Sequence, residues 1–272
     1  MKKIFKIEKI AILFLIIVVS LSSCTKDLDI TPKDDQDLLG EDFFAKETAY
    51  KELLAGVYAN LSLTGVDGEG SSNIDGLDAG TSQFGRVLLY LQTLSADQMI
   101  WSYENDPGTR EIQRNIWNAD DPIIYGMFGR THVTIAFANN FLRETTDEKL
   151  ASRNVSDATK SEIVKFRAEA RLLRAMSYYY MMDLFGQANF STENDAINAQ
   201  PIAYNRQQLF DFVETELNAI EADLSEPMSV EHGRASKGVA WMILAKMYLN
   251  AEVYIGQPKY LSLIHISEPT RL

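Results

Sequence analysis

Residues 160–186 read KSEIVKFRAEARLLRAMSYYYMMDLFG, and this stretch decides the fold. Apolar side chains recur along it mostly three or four residues apart, which is the spacing of one helix face. They are Ile163, Phe166, Ala170, Leu173, Met176, Tyr180 and Phe185. Gly186 follows the last of them, and glycine commonly ends a helix. The pattern predicts one long amphipathic helix from Lys160 to Phe185.

Four further helices are predicted around this one, at residues 41–61, 121–144, 206–224 and 235–252, with an apolar stretch at Val87–Leu94. Short turns between them favour stacked hairpins of tetratricopeptide type. Small residues at close-packing positions favour the same arrangement: Ala170, Ala175, Gly238, Ala240 and Ala245. No convincing strand alternation is found. The predicted fold is all-α, with tetratricopeptide-like helical hairpins and long irregular loops, and Trp117 and Trp241 are predicted to lie in its core.

The N-terminus has the form of an export signal. Four lysines among the first nine residues precede an apolar run, Ile10–Val19, which is about half the length that a membrane-spanning helix needs. Leu21-Ser22-Ser23-Cys24 then resembles a bacterial lipobox. We therefore expect residues 1–23 to be a lipoprotein signal peptide, Cys24 to be lipidated, and residues 24–40 to be an extended tether. The alternative is that Cys24, the one cysteine of the chain, is incidental.

The chain is acidic, with a formal net charge of −12. Such a chain repels nucleic acid, so a nucleic-acid partner is not expected. It would suit a neutral or cationic ligand, although an ordinary solvated acidic surface explains the charge equally well.

The residue patterns give no support for catalysis. The three histidines, His132, His232 and His265, have no ligand partner at metal-binding spacing. Gly68-Glu69-Gly70 lacks the rest of a phosphate loop, and Asn73, Asp75 and Asp78 miss the calcium-loop spacing. We predict no catalytic residues, no metal and no cofactor. Glycoside hydrolysis needs only two carboxylates, so a surface glycoside hydrolase stays open as an alternative.

Binding chemistry is indicated by two irregular segments. Residues 66–85 are rich in Gly, Asp and Ser and form a long predicted loop, a kind of segment that often carries function. Trp101 and Tyr103 lie just before Asn105 and the turn at Asp106-Pro107-Gly108. A sugar ring stacks its C–H face on an aromatic plane, while its hydroxyls bond to Asn, Asp and Arg. Trp101 could instead be a core residue beneath the loop.

Three separated motifs resemble the SusD/RagB family. They are Phe166-Arg167-Ala168-Glu169-Ala170-Arg171-Leu172-Leu173-Arg174-Ala175 with Tyr178-Tyr179-Tyr180 and Leu184-Phe185-Gly186; Gly233-Arg234-Ala235-Ser236-Lys237-Gly238 with Ala245-Lys246-Met247-Tyr248-Leu249; and Cys24-Thr25-Lys26-Asp27-Leu28-Asp29-Ile30. The likeness runs to about Tyr260, so residues 41–260 are identified as the N-terminal part of a domain similar to those of that family.

The resemblance implies a function and its partners. Members of the family are outer-membrane lipoproteins that bind oligosaccharide at the cell surface. They deliver it to a TonB-dependent transporter of SusC type and are not enzymes. An acidic stretch after the lipidated cysteine commonly directs them to the surface. A tetratricopeptide scaffold that binds only other proteins stays open as a further alternative.

Within the family the likeness is to the starch-binding members. It lies in residues 73–78, 83–86 and 101–105. By this match, the implied glycan-binding residues are Asn73, Asp75, Arg86, Trp101, Tyr103 and Asn105. Tyr103 stands where a tryptophan is expected, which weakens the implication that the ligand is an α-glucan such as starch or a maltooligosaccharide.

The last twelve residues, 261–272, depart from the family pattern. Leu261-Ser262-Leu263-Ile264-His265-Ile266-Ser267-Glu268-Pro269-Thr270-Arg271 resembles a translated sequencing adapter. We expect adapter read-through here, with a natural C-terminal tail as the alternative.

Overall fold

A computed structural model describes residues 40–65, 70–103 and 105–262. The chain divides into two units, residues 1–43 and 44–272. The predicted signal peptide, Cys24 and the tether up to residue 39 lie outside the described residues, as do residues 263–272 of the predicted read-through segment.

The described residues form ten α-helices and two short strands. The helices are α1 (Gly40–Phe44), α2 (Ala49–Ala59), α3 (Phe84–Thr93), α4 (Thr109–Gln113), α5 (Pro122–Glu144), α6 (Asp147–Ser152), α7 (Asp157–Phe185), α8 (Arg206–Ile220), α9 (Lys237–Leu249) and α10 (Ala251–Ile255). The strands are β1 (Gln187–Phe190) and β2 (Ile202–Asn205), and a short 3-10 turn, Glu221–Asp223, follows α8. The all-α, tetratricopeptide-like prediction is confirmed.

Helix α7 lies at the centre of the fold and packs against both α5 and α8. The side chain of Ser156 caps its first turn by accepting from the Thr159 amide at 3.2 Å. Gly186 ends it with φ of +73°, and its amide donates to the carbonyl oxygens of Met181 and Met182. The left-handed backbone is the reason that glycine stands there. Helix α7 is buried on more sides than the predicted face, since Leu172, Tyr178 and Met181 are also inaccessible to solvent.

Two apolar clusters make up the core. The larger joins α2, α5, α7, α8, α9 and α10. The smaller contains Phe84, Val87 and Tyr90 of α3 with Ile112 of α4 and Met127 of α5, and Trp101 packs against it. Within the described residues, no helix combines the length and the apolarity needed to cross a membrane. Through Trp101, the smaller cluster supports the irregular segment after α3.

Charged side chains of the 166–175 motif form hydrogen bonds and ion pairs inside the fold. Glu169 has 2% of its side chain exposed. It accepts from the Tyr58 hydroxyl at 2.6 Å and from Nε of Arg234 at 3.2 Å. Arg171 and Arg174 both bind Glu216 of α8, at 2.7 Å. Two of the three motifs, those of Glu169 and Arg234, therefore meet in one buried ion pair.

The structure corrects several boundaries. The helix expected over residues 41–61 is broken between Phe44 and Ala49, and the one expected over 235–252 is divided at Asn250. Strands β1 and β2, which the sequence did not reveal, pair antiparallel with Gln187 opposite Asn205. The prediction that Trp117 lies in the core is wrong, because 43% of it is exposed. Trp241 is half-buried, and its indole donates to Glu221 at 2.8 Å.

Candidate functional site

Helix α3 presents Arg86 from its first turn. The side chain of Gln83 caps this helix: its Oε1 accepts from the Arg86 amide at 2.6 Å, and its Nε2 donates to the Leu61 carbonyl at 2.9 Å. One turn further on, the ring centroid of Tyr90 lies 5.4 Å from Cζ of Arg86. The Nε atom of Arg86 is buried and has no hydrogen-bond partner among the described residues. The Arg86 side chain as a whole is 37% exposed.

Trp101 and Tyr103 form an aromatic pair beside Arg86. The ring centroid of Trp101 lies 5.0 Å from that of Tyr90 and 5.9 Å from that of Tyr103. The Trp101 amide donates to Oε1 of Gln113 at 2.7 Å, which ties the segment to α4. Trp101 is half-buried, whereas Tyr103 is 69% exposed. Trp101 thus packs on the smaller core cluster and lies beside an exposed aromatic ring; its contact with a sugar stays a prediction.

Asp106 joins the cationic and aromatic parts of this cluster. Its Oδ2 accepts from the Trp101 indole at 3.0 Å and lies 3.8 Å from Nη2 of Arg86. Its amide donates to the Tyr103 carbonyl at 3.0 Å. Gly108, with φ of +82°, then turns the chain into α4. We call Arg86, Tyr90, Trp101, Tyr103 and Asp106 the aromatic cluster.

Asn73 and Asp75 lie on the preceding loop, and both are exposed. Ile74 between them is buried against α5, where a side chain in place of Gly129 would meet it at 3.0 Å. Because Ile74 is held there, Asn73 and Asp75 on either side of it face solvent. None of the contacts found in the described part of the chain joins Asn73 or Asp75 to the aromatic cluster. Asn105, also exposed, is adjacent to Asp106 in the chain.

A buried arginine holds the base of that loop. Arg130 of α5 is inaccessible to solvent. Its Nε donates to the Ser82 carbonyl at 3.0 Å, and its Nη2 donates to the Thr64 carbonyl at 3.0 Å. Its Nη1 donates to Oδ1 of Asn60 at 2.5 Å. Burial lowers the pKa of Arg130, but a guanidinium stays charged at any ordinary pH. Both ends of the loop are therefore fastened to one side chain.

Sequence reasoning missed Tyr90, Asp106 and Arg130 as site components. Tyr90 could have been found, because it follows Arg86 by four residues and so shares its helix face. The sequence marks Asp106 only as part of a turn, and nothing in it marks Arg130 as the residue that holds the loop.

The cluster has the chemistry of a polar-aromatic binding surface. An exposed ring beside a guanidinium and a carboxylate can stack on an apolar ring face and bond to hydroxyl groups at its edge. Among the described residues no group of three or more His, Cys, Asp or Glu side chains could hold a metal ion.

Comparison with known proteins gave relatives in sequence and in structure, although no family model matches the chain. It is 33% identical over 260 residues to the starch-binding protein SusD of Bacteroides thetaiotaomicron, which covers 95% of this chain and 43% of the relative. It is 31% identical over 131 residues to a SusD-like protein of Bacteroides ovatus, covering 47% of this chain and 23% of that protein. The chain thus spans less than half the length of either.

The solved structures show the same fold. A SusD homologue from Bacteroides thetaiotaomicron matches with a TM-score of 0.60 at 20% identity, covering 83% of this chain and 40% of that one. Surface glycan-binding protein A from the same species, in complex with laminarihexaose, matches with a TM-score of 0.56 at 16% identity, covering 81% and 43%.

Proposed function

The chain belongs to the SusD family, and from that membership we propose that it is a glycan-binding protein whose ligand contacts the aromatic cluster. The single observation that carries the proposal is the 69% exposed ring of Tyr103, held beside Trp101 and next to the Arg86–Asp106 pair. Covering an exposed aromatic ring removes apolar surface from water, which favours binding. A sugar ring covers it and satisfies the neighbouring polar groups.

The proposed binding mode uses two kinds of contact, stacking and hydrogen bonding. Tyr103, supported by Trp101, stacks on the C–H face of a pyranose. Arg86 donates to ring hydroxyls and Asp106 accepts from them, while Asn105, Asn73 and Asp75 supply further polar contacts from exposed positions. The cluster binds its ligand without cleaving it.

The proposed glycan is an α-glucan of the starch type. Support comes from the 33% identity, over 95% of this chain, with a protein named for binding starch. A structural relative holds laminarihexaose instead, so these two glucans make a direct comparison. Calorimetric titration with maltohexaose and with laminarihexaose tests the preference. Tighter binding of laminarihexaose would contradict it.

Replacing Tyr103 tests the site. Tyr103→Ala should weaken glycan binding by about 1 kcal/mol, or roughly fivefold in Kd, because the stacking plane is lost. Tyr103→Trp should retain binding. Tyr260 is also exposed, at 60%, and lies outside the cluster, so Tyr260→Ala serves as the matched control. Equal affinity of Tyr103→Ala and wild type would show that the site is elsewhere. Release of shorter sugars during the titration would instead favour the hydrolase alternative.

We also propose that the protein is held at the outer surface of the outer membrane by lipid on Cys24 and passes glycan to a TonB-dependent transporter of SusC type. Support comes from the lipobox-like Leu21-Ser22-Ser23-Cys24 and the short apolar run before it. Diacylglycerol provides two chains, and each buried CH₂ contributes about 0.8 kcal/mol, enough for stable anchoring.

Cys24→Ala should release the protein from the membrane fraction, because no acyl acceptor would remain. Detergent partitioning and immunoblotting of cell fractions measure this. Ser23→Ala, which keeps a small residue before the cysteine, is the matched control and should stay membrane-bound. Unchanged partitioning of Cys24→Ala would refute lipid anchoring. Copurification of the anchored protein with the transporter tests delivery, and a stable partner other than a transporter would favour the scaffold alternative.

A further inference from the structure

A cleft lies beside α3, away from the aromatic cluster. Its volume is 530 Å³, within the range of small-molecule sites. Its lining includes Leu91, Ile112, Ile124, Leu184 and Phe185 from four helices. Helical geometry sets Leu91 about 140° around α3 from Arg86. The cleft therefore faces a different direction from the proposed glycan site.

Trp117 lines this cleft and differs from the other two tryptophans of the chain. The Trp101 indole donates to Asp106 at 3.0 Å, and the Trp241 indole donates to Glu221 at 2.8 Å. The Trp117 indole has no acceptor among the described residues, and 43% of this side chain is exposed. A partly exposed indole with an unpaired N–H offers both a ring for stacking and a hydrogen-bond donor.

The loop that carries Trp117 is tied to α4 at its start and forms a turn after the tryptophan. Asn115 adopts φ of +54°, and the Ile116 amide donates to the Glu111 carbonyl at 3.0 Å. Beyond the tryptophan, Oδ1 of Asn118 accepts from the Asp120 amide at 2.8 Å. Because its oxygen is engaged there, Asn118 can direct its NH₂ group at a ligand. The bond from Ile116 to Glu111 ties the residue before the tryptophan to α4, which limits the ordering cost when a ligand binds.

The lining residues of this cleft carry no charge. Beside the apolar side chains it contains Ser95, Asn118 and Ala119. An uncharged, mostly apolar cleft with a tryptophan and an amide fits a neutral ring that has an apolar face and hydroxyl edges. From this geometry we infer that the Trp117 cleft is a second carbohydrate-binding site, separate from the aromatic cluster. The inference rests on the proposed function, namely that the protein binds glycans.

Single-tryptophan reporters test the inference. Replacing Trp101 and Trp241 by Phe leaves Trp117 as the only tryptophan, because the chain has three. Acrylamide quenching of its fluorescence is measured without sugar and with maltohexaose or laminarihexaose at saturating concentration. A second reporter, with Trp117 and Trp241 replaced by Phe, follows Trp101 in the same way. Bound sugar should protect Trp117 from the quencher and lower its quenching constant by about half or more, because the sugar ring covers the indole.

The outcomes separate the two claims. Protection of Trp117, with or without protection of Trp101, supports the second site. Protection of Trp101 alone overturns the second site and leaves the proposed function standing. Protection of neither, together with no heat of binding to the wild-type protein, overturns both.

Affinity measurements add a check that does not depend on fluorescence. In the wild-type background, Trp117→Ala should weaken binding at the second site about fivefold. Ile116→Ala removes a neighbouring exposed side chain, 62% accessible, and should leave binding unchanged. Equal titrations for Trp117→Ala and Ile116→Ala, with circular dichroism matching wild type, would overturn the inference.

Discussion

Glu216 shows how individual residues of this fold are constrained. Its carboxylate binds Arg171 through Nε at 3.0 Å and Arg174 through Nη2 at 2.7 Å, and 10% of the side chain is exposed. Burial by itself would raise the pKa of Glu216, but the hydrogen bonds and charges of the two arginines outweigh burial and lower it. Arg171 and Arg174 of the 166–175 motif therefore join α7 to α8.

Glu216→Gln should destabilise the protein by about 3 kcal/mol, because it removes the carboxylate that binds both Arg171 and Arg174 and leaves the buried Arg174 guanidinium with Glu193 as its one paired carboxylate among the described residues. Urea unfolding at pH 7 measures the change. The control is Glu226→Gln, which removes the partner of Lys237 from an exposed pair and should cost no more than about 1 kcal/mol. Similar losses in the two variants would contradict the role given to the buried pair.

At the scale of elements, α7 is the central helix, and α5 and α8 pack against it. Leu173 is 2% exposed within the larger cluster, whereas Val164, two and a half turns earlier on the same helix, is 47% exposed. One helix thus provides both a buried and an accessible position for comparison.

Leu173→Ala should cost about 2 to 5 kcal/mol, because it leaves a cavity that the surrounding helices fill only in part. Val164→Ala should change the stability by less than about 0.5 kcal/mol. Thermal and urea unfolding followed by circular dichroism measure both. A Leu173→Ala loss below about 0.5 kcal/mol would mean that this face of α7 is not packed.

At the scale of the whole molecule, stability should depend on pH in two stages. Burial lowers the pKa of His132, although hydrogen bonds to the Phe128 and Asn189 backbone partly oppose this. Below the unfolded-state value of about 6.5, the unfolded chain takes up a proton that the folded chain resists, so stability falls. The pKa of Glu144 is also lowered: burial opposes this, but Lys149 and Arg153 outweigh it. The stability contributed by Glu144 and Glu216 is present above about pH 4.3 and is lost as the pH falls through their lowered pKa values.

Urea unfolding at pH 7.5, 5.5 and 3.5 should therefore show that the free energy of unfolding falls from 7.5 to 5.5 and again from 5.5 to 3.5. In His132→Gln, the fall in stability between pH 7.5 and 5.5 should disappear, whereas the fall between pH 5.5 and 3.5 should remain. Glu216→Gln should reduce the loss at the acid end. A wild-type protein equally stable at pH 7.5 and 5.5 would contradict the role of His132.

The sequence by itself determined the long helices, because their signals are local. The apolar spacing of residues 160–185 and the glycine after them predicted α7 to within a few residues at its start and correctly at its end. Asp121 followed by Pro122 marks the start of α5 in the same way, and the structure shows Oδ1 of Asp121 capping the Ile123 amide at 2.9 Å. Capping and periodicity involve neighbours within one turn, so they can be read along the chain.

Only the tertiary structure decided which side chains meet and which are exposed. Trp117 has the local pattern of a core residue, yet its environment is set by α3, α5 and the end of α7, and it lies at a cleft. Strands β1 and β2 are four residues each, too short for alternation to be recognised, and they form because each provides the other's hydrogen bonds. The aromatic cluster joins Arg86 to Trp101 and Asp106 across fifteen to twenty positions. Such contacts depend on how helices pack, and packing depends on partners that are distant in the sequence.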